Sequence, residues 1–120
     1  MSIWQPGPRP AWVQAMNENC DPEWVRLDAD ALLAEARAAT GLDDFGDPVF
    51  EEPFRIFVES LNEERSLHAI GALLIRGDLL NALTIRLRLT EERKRHPEVA
   101  NEVVDRPIFI TGLPRTGTSI

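Results

Sequence analysis

Leu79, Leu80, Leu83 and Leu87 fall on one side of a helix, and this stripe limits the fold of the chain more than any other feature. The same stretch also offers a rival period. Leu83, Ile85, Leu87 and Leu89 alternate with polar residues, as a half-buried strand would. Two observations favour the helix. The stripe begins before Leu83, and the leucines and arginines filling it are good helix formers. Upstream, Ser66 reads as the cap of a helix whose inner face is Ile70, Leu73 and Leu74. Gly77-Asp78 separates the two stripes. A glycine inside a helix costs up to about 1 kcal/mol relative to alanine, so the helix either bends there or restarts with Asp78 as cap. Thr90 followed by E-E-R-K-R reads as the cap of a charged final helix, with Glu91 and Arg95 as an i,i+4 pair. The basic run Arg93, Lys94, Arg95 and His96 reads as a solvated face of it.

Helical spacing recurs towards the N-terminus. Phe54, Phe57, Val58 and Leu61 stand at i, i+3, i+4 and i+7, with Pro53 in the first turn and an end expected near Arg65. A helix over Ala29–Thr40 has Asp28 as N-cap, Leu32, Leu33 and Ala36 as its buried side, and Gly41 for the left-handed turn that ends it. Pro10 opens a short helix with Trp12, Val13 and Met16 on one side. Asp21-Pro22 opens another, with Trp24, Val25 and Leu27 as apolar anchors. The first ten residues hold three prolines and a glycine and should form an extended arm. Residues 41–48 form a loop with Leu42 and Phe45 tucked beneath. Its aspartates, Asp43, Asp44 and Asp47, lack the spacing of a complete calcium loop and read as a solvated acidic loop.

Composition narrows the functions. The 120 residues suffice for one small domain. Twenty acidic against 13 basic residues leave a net charge of -7, which argues against a nucleic-acid partner but not against a small anion held in a local pocket. Cys20 stands alone, so an internal disulfide or thiolate cluster is excluded. His68 and His96 are not at metal-ligand spacing, and His68 reads as a satisfied polar position on a helix. The first residues lack the apolar core of a secretory signal, and the longest apolar run, 69–75, is too short to cross a bilayer. A cytoplasmic protein with no membrane span is expected.

The pattern changes at Asp105-Arg106-Pro107. Ile108, Phe109 and Ile110 form a continuous apolar run, as in a strand buried in a parallel sheet. It leads into Gly112, Leu113, Pro114, Arg115, Thr116, Gly117, Thr118 and Ser119. Glycines five apart let the backbone curl with its N–H groups inward, and a helix starting near Gly117 would add its dipole. Thr116, Thr118 and Ser119 supply hydroxyls, and Arg115 a planar fork of donors. This is the geometry of a phosphate loop. The triphosphate form G-x-x-x-x-G-K-[ST] is matched in its glycines and at Ser119, but Thr118 stands at the lysine position. Residues 1–106 then form a helical region, and 107–120 the first strand and phosphate-binding loop.

With its arginine inside the loop, the segment resembles the first conserved segment of sulfotransferases that use 3'-phosphoadenosine 5'-phosphosulfate, G-x-P-[RK]-[ST]-G-[ST]-[ST]. The stretches T-G-L-D-D-F-G-D, L-L-N-A-L-T-I-R-L-R-L and R-H-P-E-V look like the lead-in of a bacterial branch of that family. The resemblance implies a chain that is mainly α in the part present, with the start of an α/β P-loop parallel-sheet domain at its C-terminal end. It implies transfer of a sulfuryl group to a hydroxyl or amine of a small-molecule acceptor, without a metal. Arg115 would be catalytic, and Gly112 to Ser119 would hold the phosphosulfate. The general base and the 3'-phosphate ligands would lie beyond Ile120, making this an incomplete N-terminal fragment, inactive alone. Two other readings stand beside it: a P-loop kinase or nucleotide hydrolase with a variant loop, and a non-enzymatic helical interaction module. The faces Phe54/Phe57/Leu61 and Leu80/Leu83/Leu87 could cover a sheet, shape an acceptor pocket or support a homo-oligomer.

Overall fold

The computed structural model describes residues 7–63, 68–109 and 111. Four α-helices follow in chain order: α1 (Ala11–Asn19), α2 (Ala29–Thr40), α3 (Glu51–Glu63) and α4 (Ala69–Arg95). Short 3₁₀ turns occupy Pro22–Val25, Pro48–Phe50 and Pro97–Asn101. None of the described helices is long and apolar enough to cross a membrane.

The ends of these elements are set by the expected chemistry. Ala31 N–H donates to Asp28 Oδ1 at 2.7 Å, which satisfies one of the free donors of the first turn of α2. At the other end, Gly41 adopts φ 70 and donates its N–H to Arg37 O at 2.8 Å. Asp21 and Asp47 cap the first two 3₁₀ turns, accepting from the N–H of Glu23 and Val49, each at 3.0 Å. The second turn runs directly into α3.

α4 continues unbroken through Gly77 and past Thr90, for 27 residues. Its neighbours are good helix formers, and propagating a helix costs less than nucleating a second one. The strand reading of Leu83–Leu89 fails for the same reason: all four residues belong to α4.

The core is built where α2 lies along α4. Leu27, Leu32, Leu33, Ala36, Phe45, Val58, Leu83 and Leu87 are buried together, with Phe54, Leu61, Leu79 and Leu80 partly buried against them. α3 flanks α2, while α1 and the Pro22–Val25 turn lie on α4. A two-point clasp joins α3 to the start of α2. Leu27 N–H donates to Asn62 Oδ1 at 2.9 Å, and Asn62 Nδ2 donates to Leu27 O at 2.8 Å. Exposed ion pairs, Arg55–Asp30 at 2.7 Å and Arg76–Glu35, tie α3 and α4 to α2 but contribute little.

Several inward assignments are corrected. Leu73 and Leu74 are 64% and 66% exposed, and Ala69 and Ala72 are buried in their place. At about 100° per residue, Ala69 and Ala72 continue the stripe of Leu83 and Leu87 along α4, whereas Leu73 and Leu74 fall to one side of it. Phe57 and Trp24 are exposed too, as are Trp12 and Met16.

The expected start of a parallel-sheet domain is overturned. Residues 107–109 form no strand, and no strand occurs anywhere among the described residues. Ile108 and Phe109 are 89% and 83% exposed. A buried strand needs neighbouring strands and cover on its faces. Here every regular element described is helical. Ile110, Ser66 and Arg65 lie outside the described residues.

The smallest dimension of the molecule is 23 Å, about two helix diameters. Each long helix therefore keeps one face outward.

Leu87→Ala should destabilise the fold by about 2–5 kcal/mol in urea unfolding, whereas Leu73→Ala should change stability by less than about 0.5 kcal/mol. A Cβ at Gly77 would meet nothing within 4 Å, so Gly77→Ala should stabilise by about 0.5–1 kcal/mol in the same assay.

Candidate functional site

The densest long-range polar contacts join the loop before α3 to the C-terminal half of α4. Arg86 Nε donates to Phe45 O at 2.8 Å, and its Nη2 donates to Asp47 O at 2.9 Å. The same guanidinium lies 4.0 Å over the Phe50 ring. One planar group thus satisfies two carbonyls and covers an aromatic face. Phe45 is buried beneath the loop as its sequence suggests, with Arg37 stacked 5.0 Å from its ring centroid.

The loop acids are used locally. Asp44 Oδ1 accepts from Gly46 N–H at 2.7 Å, while its Oδ2 pairs with Lys94 Nζ at 2.6 Å. The hydrogen bond from Lys94, then that from Gly46, holds the Asp44 carboxyl below the ordinary aspartate value of 3.8. Asp44 in turn raises Lys94 above the ordinary 10.5. Gly46 has φ 79, and a Cβ there would stand 3.1 Å from Thr90 Oγ1. Backbone conformation and close approach to α4 both require glycine at this position.

Pressing the loop against α4 creates an open groove of about 750 Å³. Ala82, Ile85 and Leu89 line it, with Gly46 and Asp47 on the loop side and Arg93 at one end. Ile85 and Leu89 are 46% and 55% exposed, on the opposite side of α4 from Leu83 and Leu87 at 4% and 0%. Apolar side chains therefore occupy two opposite faces of α4, and α2 covers only one. The alternation of Leu83, Ile85, Leu87 and Leu89 was the available signal. On a helix it means two apolar faces.

A second cleft of about 320 Å³ lies where α1 and the Pro22–Val25 turn meet the ends of α3 and α4. It contains Asn17, Cys20, Asn62 and His68. Asn17 Oδ1 is buried there with no hydrogen-bond partner among the described residues. Cys20 Sγ donates to the neighbouring Asp21 O at 3.6 Å. His68 stands at the N-cap of α4, exposed and with no side-chain capping bond, not at a satisfied position within the helix. Among the described residues, no hydrogen bond joins Cys20 to His68. Among the described residues, no three His, Cys, Asp or Glu side chains are grouped to hold a metal. The basic end of α4 is a solvated face as expected, with Arg95 Nε donating to Glu91 Oε1 at 2.8 Å.

The loop expected to bind nucleotide, Gly112 to Ser119 with Arg115, lies outside the described residues. No protein-family model, curated protein or solved structure matches the chain. With no family behind the resemblance, and with Ile108 and Phe109 exposed rather than in a sheet, the sulfotransferase reading is overturned. The 3'-phosphoadenosine 5'-phosphosulfate co-substrate and the acceptor go with it. The kinase or hydrolase alternative falls on the same ground, since it needs the same sheet.

Arg86→Ala should release the loop and accelerate amide exchange at Gly46 about tenfold or more, and Arg86→Lys should not restore protection, because an ammonium lacks the fork. The Asp44–Lys94 pair should contribute fully above the ordinary aspartate value and be lost as pH falls through the lowered value of the folded state. A carboxyl NMR titration should show the Asp44 midpoint rising towards 3.8 in Lys94→Met.

Proposed function

We propose that this chain is a helical interaction module whose docking surface is the outward face of α4. The observation that carries the reading is the exposure of Ile85 and Leu89 beside Ala82, in a groove braced by the Arg86-anchored loop. Apolar residues at i, i+3 and i+7 on one helix face are the pattern by which amphipathic helices recognise each other. The bundle cannot bury this face itself, because it is only two helices thick. A protein partner suits the surface better than a polyanion does. At a net charge of -7 the chain repels nucleic acid and anionic lipid alike.

The reading separates the two faces of α4 in an experiment. In dilute solution, Ile85→Lys and Leu89→Lys should leave the unfolding free energy within about 0.5 kcal/mol of the parent, while Leu83→Ala should cost about 2–5 kcal/mol. A loss at Ile85→Lys as large as that at Leu83→Ala would mean that the outward face is internal packing and no docking surface.

A further inference from the structure

We infer that the occupant of this groove is a second copy of the same chain, its α4 laid antiparallel across the first about a twofold axis between Ile85 and Arg86. The inference rests on reading the outward face of α4 as a docking surface. A twofold contact requires the surface to be its own complement when reversed, and the sequence of this face meets that requirement. Asp78 precedes Ala82 by four residues, and Arg93 follows Leu89 by four. Ala82 and Leu89 lie equally far from the midpoint, as do Asp78 and Arg93. Reversal places the small Ala82 opposite the large Leu89 of the second copy, the alternation that lets two helices approach closely and fill the space between them. It places Asp78 opposite the second copy's Arg93. Both residues are exposed, and neither forms an ion pair among the described residues. Ile85 sits beside the axis and packs against its counterpart. Arg86, its neighbour, is drawn off the face by its bonds to Phe45 O and Asp47 O, which removes a like-charge contact at the centre.

Sedimentation equilibrium on the 120-residue chain tests this, with circular dichroism as the check on folding. The parent should dimerise reversibly, and Ile85→Lys should be monomeric with its helix content intact. Asp78→Arg and Arg93→Asp should each raise the dissociation constant about tenfold, since each reversal disturbs two symmetry-related pairs. Asp78→Arg combined with Arg93→Asp should return it to within about twofold of the parent, because the pairs re-form with their signs exchanged. A parent that stays monomeric at about 500 μM overturns the self-pairing. So does a dimer that is indifferent to the single reversals or is not rescued by the double one. If the parent is monomeric and Ile85→Lys remains folded, α4 keeps its docking face for a different protein. If Ile85→Lys unfolds, both readings fall.

Discussion

The packing of Leu32, Leu33 and Ala36 onto Leu83 and Leu87 holds α2 against α4, and the remaining contacts depend on it. Neither α1, α2 nor α3 exceeds 13 residues, a length at which isolated helices are marginal in water. The helicity of α1 and α2 comes from being laid on α4, and that of α3 from flanking α2. α2 covers one face of α4, while α1 and the Pro22–Val25 turn lie on it too. The arrangement also explains what is left bare. One long helix with three short companions, two layers deep, has more apolar surface than the layers can cover.

Backbone groups in the connections are satisfied by side chains from far along the chain. Asn62 serves both polar groups of Leu27. Arg86 serves the carbonyls of Phe45 and Asp47. Each replaces water on a segment with no helical or strand partner of its own, and each therefore fixes how one element enters the bundle. Surface ion pairs add direction but little free energy.

Much of the bundle was legible in the sequence. Asp28, Gly41, Leu32, Leu33 and Ala36 specify α2 completely, because capping and periodicity act within one segment. Phe45 under its loop and the Glu91–Arg95 pair were legible for the same reason. The inner face of the first part of α4 was not, since Leu73 and Leu74 fit an inner stripe only if the helix restarts at Gly77, whereas across an unbroken helix the stripe of Leu83 and Leu87 continues to Ala72 and Ala69. The long-range partners of Asn62 and Arg86 leave no periodic trace. The run Ile108–Phe109–Ile110 has the composition of a buried strand, but composition supplies no neighbouring strand. The groove was half visible: Ile85 and Leu89 stood out, and their alternation with Leu83 and Leu87 was compatible with both a strand and a two-faced helix.

The unbroken course of α4 through Gly77 has a mechanical meaning. Ala69, in the wall of the Cys20 cleft, and Leu89, in the groove, sit on one stiff rod about 30 Å apart. The Cys20 cleft and the groove beside Ile85 therefore share one continuous helix as a common wall.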